Sequence, residues 1–236
     1  MTGISPLAGI RSYFYVPAGR EDLVAAAFDN DADAVVFDLE HLTPDEDKDR
    51  ARKLLAEVLA TAAPKPVLVR VNAADTGLHP ADLEAVVGPA LTAVRIPKAE
   101  RAREVRTIAR DLDRLRAERG IARVIPLQVM IETTAGIEAV RELAEATHLV
   151  ESIGLGEGDL RADLGTSDDE GLFYSRARLV VAARAAGLPG PVQVTFTPTG
   201  SLDELRASTE LGLRLGYRSR TLLNPDHIAT VNAIYG

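Results

Sequence analysis

The sequence predicts a (β/α)8 TIM barrel, in which eight parallel strands close into a cylinder and a helix follows each strand. Three observations support this prediction. Eight short β-rich apolar runs alternate with eight longer segments of helical period. The runs, such as AVVFDL and IPLQVMI, are largely apolar, as expected for strands that helices cover. Each repeat takes about 30 residues, the length of one βα unit.

Each strand is predicted where β-branched, aromatic and other apolar residues form a short run between turn residues. In chain order the predicted strands span residues 12–16, 34–38, 67–71, 93–96, 124–131, 149–154, 192–196 and 220–223. Helices are predicted where Ala, Leu, Arg and Glu recur with a helical period. They span residues 20–29, 46–61, 80–87, 100–119, 133–146, 170–187, 201–215 and 225–234.

Glycine and proline fall between these elements, as at residues 64–66 and 187–191, and no stretch resembles an interdomain linker. We therefore expect one barrel domain over residues 1–236. A doubly wound open sheet is the alternative architecture. It is disfavoured because PAGRED, and not a GxGxxG phosphate loop, follows the first predicted strand.

The composition excludes several classes of function. The chain has 27 basic and 35 acidic side chains, a formal net charge of -8, and no cysteine. An acidic chain argues against a nucleic-acid or membrane-surface partner, because such proteins present basic patches. Without cysteine there is no disulfide, thiolate nucleophile or zinc–thiolate site. No apolar run reaches the roughly 18 residues of a membrane helix, and a signal peptide is not recognisable. We therefore expect a cytoplasmic protein.

Charged side chains follow five successive predicted strands at the end where each strand stops. Barrel enzymes carry their chemistry at these carboxyl ends, so the side chains are expected to share one mouth. In chain order they are Asp38 and Glu40, Arg70, Lys98, Glu132 and Asp159.

The residue types at this mouth indicate a metal site with oxygen ligands. Carboxylates without suitably spaced histidines suit Mg²⁺, or Mn²⁺, better than zinc. Glu132 and Asp159, after adjacent strands, are the natural ligand pair. Arg70 offers a fork of donors to a carboxylate or thioester oxygen. A metal ion beside Arg70 would stabilise the enolate that forms when a C–C bond β to a carbonyl breaks.

Each of these residues also has a structural interpretation. Asp159 is placed to cap a short helix, and Arg70 to form an ion pair inside the barrel. Lys98 is either a salt-bridging residue or a Schiff-base nucleophile. The residues alone leave these alternatives open.

Six segments together resemble one known family, in order and spacing, from about residue 10 to residue 235. They are RSYFYVPAG from Arg11, ADAVVFDLE ending at Glu40, RVN from Arg70, RIPK ending at Lys98, IET around Glu132, and GDL around Asp159. The set is similar to the HpcH/HpaI aldolase and citrate lyase β-subunit family, most of all its citrate-lyase-β-like branch.

The resemblance implies Mg²⁺ held by Glu132 and Asp159, with Arg70 binding the substrate's carboxylate or acyl oxygen. It implies that Asp38 and Glu40 hold metal-bound waters or take part in proton transfer. Two further residues, Arg11 and Lys98, are implied to line the polar mouth and bind substrate. Members cleave or form C–C bonds in 3-hydroxyacyl-CoA thioesters of the citryl-CoA or malyl-CoA type. They are usually homo-oligomers, often trimers or hexamers.

The chain departs from the family pattern at several positions. His41 stands where the family has aspartate, Asn224 stands where it has histidine, and residues 193–197 lack an expected acidic side chain. The sequence stops at Gly236, without the lid segment of longer relatives. The leading hypothesis is a Mg²⁺-dependent carbon–carbon lyase acting on a hydroxyacyl-CoA thioester. The alternatives are an aldolase acting on free 2-keto-4-hydroxy acids, a thioester hydrolase and a scaffold subunit with reduced catalysis.

Overall fold

A computed structural model describes residues 5–197 and 199–236 of the chain. It contains eight strands in the described part: β1 Ser12–Pro17, β2 Ala34–Asp38, β3 Val67–Arg70, β4 Leu91–Ile96, β5 Leu127–Ile131, β6 Val150–Leu155, β7 Val192–Gln193 and β8 Ser219–Leu222. Neighbouring strands pair in parallel, and β8 pairs back with β1, which closes the barrel. The predicted (β/α)8 fold is confirmed.

Ten α-helices surround the strands in the described residues. They are α1 Glu21–Ala25, α2 Lys48–Leu59, α3 His79–Val86, α4 Ala102–Glu118, α5 Thr134–Glu138, α6 Val140–Ala144, α7 Glu157–Leu164, α8 Phe173–Ala185, α9 Leu202–Leu215 and α10 Ile228–Tyr235. In the described part of the chain, none of the helices has the length and apolar character needed to cross a membrane.

Three elements differ most from the sequence prediction, and the predicted helix over residues 20–29 and strand over residues 124–131 are shorter than expected. Helix α7 falls where no helix was predicted, and the predicted helix over residues 133–146 consists of α5 and α6, separated at Ala139. Strand β7 has two residues because the chain leaves the regular sheet after Gln193. There the Val194 carbonyl accepts a hydrogen bond from the Arg220 side chain at 3.2 Å.

Two apolar layers pack on opposite sides of the barrel wall. The outer layer joins strands to helices through side chains such as Val35, Phe37 and Leu55. The inner layer fills the barrel with residues that alternate with these along each strand, among them Val36 and Leu68. Side chains of one parity on each strand therefore point into the barrel, and those at the carboxyl ends of the strands line its mouth.

The barrel interior also holds a buried arginine between two aromatic rings. The guanidinium of Arg95 lies 5.0 Å from the ring centres of both Tyr13 and Tyr15. It donates hydrogen bonds to Gln128 at 2.6 Å and to Thr221 at 3.2 Å. This polar stack forms the floor beneath the carboxyl ends of the strands.

Candidate active site

An arginine–aspartate pair forms at the carboxyl ends of β2 and β3. The register of these strands sets Asp38 opposite Arg70. Arg70 donates to both carboxylate oxygens of Asp38, from Nε at 2.8 Å and from Nη2 at 2.6 Å. The same carboxylate accepts the backbone N–H groups of Glu40 at 2.9 Å and Leu42 at 2.7 Å. Asp38 is fully buried and its oxygens are occupied, so it positions Arg70.

Arg70 rests on the floor of the barrel. Its guanidinium carbon lies 4.7 Å from the ring centre of Tyr15, a favourable cation–π contact. Its Nη1 lies 3.1 Å from a carboxylate oxygen of Glu40. Although burial lowers the pKa of Arg70, the charge and hydrogen bonds of Asp38, together with the charge of Glu40, raise it by more, so the side chain stays cationic.

Glu40 joins Arg70 to Lys98. The Lys98 Nζ lies 3.1 Å from Glu40 and 3.6 Å from Asp159. Burial lowers the pKa of Lys98, but the hydrogen bond and charge of Glu40 outweigh burial and leave the pKa raised. A Schiff base requires a neutral amine, so this geometry favours the salt-bridging interpretation of Lys98 over the nucleophile.

The Lys98 backbone is strained. Its φ of 48° makes it the only non-glycine with a positive φ among the described residues. The left-handed region costs a residue with a Cβ about 1–2 kcal/mol. Strain of this kind concentrates where the chain must aim a side chain, and here it accompanies the contacts of Lys98 with both acidic residues.

Glu132 and Asp159 bring two carboxyl groups together. Glu132 continues the inward-facing row of Gln128 and Met130 on β5, and Asp159 lies in the first turn of α7. The two carboxyl groups are close enough for Asp159 to raise the pKa of Glu132. Burial raises the pKa of Glu132 to about 7, Arg70 opposes the rise, and Asp159 and Glu40 add to it.

This carboxyl pair fits a Mg²⁺ ion. Glu132 is buried and forms none of the ion pairs within 4 Å seen among the described residues. Gly156 leaves space for the Glu132 side chain, since a Cβ at position 156 would come 2.6 Å from Cγ of Glu132. Among residues 5–197 and 199–236, no cluster of three or more His, Cys, Asp or Glu suits a metal. Two carboxylates are nevertheless the usual protein share of a magnesium shell, which water and substrate oxygens complete.

A cavity of about 260 Å³ opens above these groups. Its walls include Arg70, Glu132 and Asp159, with Tyr15 on one side and His41 at the rim. From the sequence, His41 was noticed only as a departure from the family pattern, and Tyr15 and Gly156 were not predicted as site residues. The signal for both was available in their strand parity, which points them into the barrel.

Five of the predicted strand ends meet as expected, and one predicted site residue does not join them. The expectation that Arg11 lines the mouth is wrong, because Arg11 precedes β1 and lies at the amino end of the barrel. There it forms an ion pair with Asp33 at 2.8 Å and donates to the Asn232 carbonyl at 3.4 Å. Asn224 accepts a hydrogen bond from the Asp226 N–H at 3.0 Å, which caps the turn before α10.

The fold places the chain among the (β/α)8 barrels, and comparison with known proteins identifies its family. The chain belongs to the HpcH/HpaI aldolase/citrate lyase family, whose sequence model matches residues 11–225. It is 30% identical to the citrate lyase subunit beta of Leuconostoc mesenteroides subsp. cremoris over 236 residues, covering 95% of this chain and 76% of that protein. It is 32% identical to a (3S)-malyl-CoA thioesterase of Cereibacter sphaeroides over 230 residues, with the same coverage of 95% and 76%.

A solved structure of this family also matches closely. The protein CitE of Mycobacterium tuberculosis, in complex with magnesium, acetoacetate and coenzyme A, superposes with a TM-score of 0.81. The two are 26% identical, and the match covers 97% of this chain and 81% of that one.

Proposed function

We propose that this protein is a Mg²⁺-dependent lyase that cleaves, or in reverse forms, the C2–C3 bond of a 3-hydroxyacyl-CoA thioester. The observation that carries the proposal is the carboxyl pair of buried Glu132 and exposed Asp159 beside an arginine held by Asp38. Such a site binds a divalent cation next to a fixed positive charge. That combination is what an enolate leaving group needs.

The protein residues divide the work as follows. Glu132 and Asp159 would hold Mg²⁺, which when bound supplies Lewis-acid polarisation of the thioester carbonyl. Arg70 donates hydrogen bonds to the same region of the substrate. Its burial lowers the local dielectric constant, which strengthens the attraction between its positive charge and a developing negative charge. Because Asp38 and Tyr15 fix the Arg70 guanidinium, little reorganisation is required when negative charge develops on the carbonyl oxygen.

Proton transfer falls to Glu40 in this proposal. Each oxygen of the fully buried Asp38 accepts two hydrogen bonds and has no lone pair left for a substrate proton, so Asp38 does not serve as a base. Each oxygen of Glu40, by contrast, contacts a single cation. Glu40 takes the proton of the substrate's 3-hydroxyl as the C3–O bond becomes a carbonyl and the C2–C3 bond breaks. The electron pair of that bond passes to the thioester enolate. Lys98, 3.1 Å from Glu40, holds this carboxylate in place.

The test compares Glu132→Gln with wild type and with Glu138→Gln, an exposed position on α5, as the matched control. We expect Glu132→Gln to lose Mg²⁺ binding in calorimetry and to lose acetyl-CoA formation from malyl-CoA or citryl-CoA. Glu138→Gln should retain both. Turnover by chelator-treated Glu132→Gln at the wild-type rate would rule out the metal role.

Thioester hydrolysis is the second candidate. The observation that favours it is the match to a (3S)-malyl-CoA thioesterase, which is as strong as the match to the citrate lyase subunit. The products separate the two reactions, because a hydrolase releases free CoA and malate while a lyase releases acetyl-CoA and glyoxylate. Calorimetry with oxaloacetate, pyruvate and acetyl-CoA distinguishes both from an aldolase, which would bind the keto acids alone.

A further inference from the structure

A second cavity of about 340 Å³ lies outside the barrel wall, between β7, β8 and the helices α7 to α9. It adjoins the candidate active site, since Glu157, Val194 and Thr195 line both. Residues alternate along β8, and Thr221 bonds to Arg95 inside the barrel. Its neighbour Arg220 therefore points outward, into this second cavity.

Three arginines and two carboxylates line this cavity. Arg176 donates to both oxygens of Glu157, at 2.8 Å and 2.6 Å, and lies 3.3 Å from Asp169. Arg161 forms ion pairs with the same two acids. Both carboxylates are thus committed to Arg161 and Arg176, and neither forms an ion pair with the third arginine.

That third arginine, Arg220, is buried without a counter-ion. It is 2% exposed, and no carboxylate lies within 4 Å of it in the described residues. Its Nη1 donates to the hydroxyls of Ser208 at 2.6 Å and Thr209 at 2.8 Å, and its Nε donates to Val194. These acceptors are all neutral. Burial lowers the pKa of Arg220 to about 10, so the charge is held there at a cost.

The second nitrogen of the guanidinium faces no acceptor. Among residues 5–197 and 199–236, Arg220 Nη2 has no hydrogen-bond partner. The Ser208 hydroxyl accepts from Arg220 and so keeps its own proton for donation. A cationic donor and a hydroxyl donor therefore lie side by side on one wall of the cavity.

We propose that this cavity is a binding site for a small oxyanion, a carboxylate or a phosphate group, with Arg220 as its cationic centre and Ser208 as a second donor. The anion balances the arginine and accepts from Nη2. It is distinct from the Mg²⁺ site, whose ligands point into the barrel. Two sources are compatible with this chemistry: a free anion, and a distal anionic group of a substrate bound in the neighbouring cavity.

The test uses inorganic phosphate as the probe, in metal-free buffer at constant ionic strength. We expect wild type to gain about 2–4 °C in Tm at five times the phosphate Kd, the shift that one bound ligand gives in a domain of this size. Arg220→Gln should lose the shift. Arg218→Gln, the same change at an exposed arginine outside the cavity, should keep it. An equal shift in wild type and Arg220→Gln would overturn the proposal.

A second variant keeps the test decisive if Arg220→Gln does not fold. Ser208→Asp puts a carboxylate on the Arg220 guanidinium, whose Nη1 is 2.6 Å from the Ser208 hydroxyl. We expect this variant to have a higher Tm than wild type and no response to phosphate. An undiminished phosphate response in Ser208→Asp would contradict the proposal. Acetyl-CoA then separates the sources: it abolishes the wild-type response if the anion is part of the thioester, and leaves it intact if the anion is free.

Discussion

Replacing Glu132 by glutamine is expected to stabilise the metal-free protein at pH 8. Burial raises the pKa of this carboxyl from an ordinary value of 4.5 to about 7. Ionisation is therefore about 3 kcal/mol less favourable in the folded chain than in the unfolded chain. Because the pKa of Glu132 is raised in the folded chain, this carboxyl contributes fully to the free energy of unfolding below pH 4.5. That contribution is lost as the pH rises through 7. Glutamine keeps the shape and a hydrogen-bond donor toward Asp159 but never ionises.

The assay is thermal unfolding with a chelator present, at pH 5 and at pH 8. Wild type and Glu132→Gln should differ little at pH 5, and the variant should have the higher Tm at pH 8, by up to about 6–12 °C. Added Mg²⁺ should then stabilise wild type and leave the variant unchanged. Glu157→Gln is the matched control, because Glu157 is buried but bound to Arg176 at 2.6 Å, so its loss should lower Tm. A Glu132→Gln variant less stable than wild type at pH 8 would refute the reasoning.

Three further predictions concern the residues that hold this site in place. Asp38→Asn should lower the free energy of unfolding in urea by about 3 kcal/mol, because it breaks a buried ion pair. Steady-state kinetics should show a loss in kcat/KM as Arg70 loses its orientation, and unchanged kinetics would contradict the positioning role of Asp38. Gly156→Ala should weaken Mg²⁺ binding in calorimetry about 10–100-fold, since the added Cβ would lie 2.6 Å from Cγ of Glu132 and displace it; unchanged affinity would show that the carboxyl has room to move. Lys98→Gly should be about 1 kcal/mol more stable than Lys98→Ala in urea unfolding, because glycine relieves the φ of 48°, and equal stability would mean that the backbone relaxes.

The barrel was predictable because its signals are local and repeated. Strand β2 is predicted over the same residues that the structure gives it, since AVVFD is an uninterrupted buried run. Helix α7 was missed because GLGEGDLRADLG is rich in glycine and has little apolar periodicity. Its short length and its left-handed end at Gly165, with a φ of 66°, read as a loop in the sequence.

The site was predictable as far as strand ends determine it. The spacing of Asp38, Arg70 and Glu132, about one βα unit and then two, placed them at one mouth. The prediction for Arg11 was wrong because a polar residue beside a strand can lie at either end of the barrel. A residue that precedes its strand lies at the amino end, and one that follows it lies at the carboxyl end. Contacts between distant positions, such as Gly156 with Glu132, depend on three-dimensional packing that no local pattern records.

The floor beneath the mouth has a consequence for how this protein can diversify. Tyr15 packs against both Arg70 and Arg95, so a site residue and the barrel interior share one ring. A substitution of Tyr15 that alters the position of Arg70 therefore also disturbs the packing around Arg95 inside the barrel. Substitutions are therefore expected to be tolerated mainly in the loops at the rim around His41. There a side chain can be exchanged without loosening the platform, and new substrate preferences are expected to evolve there first.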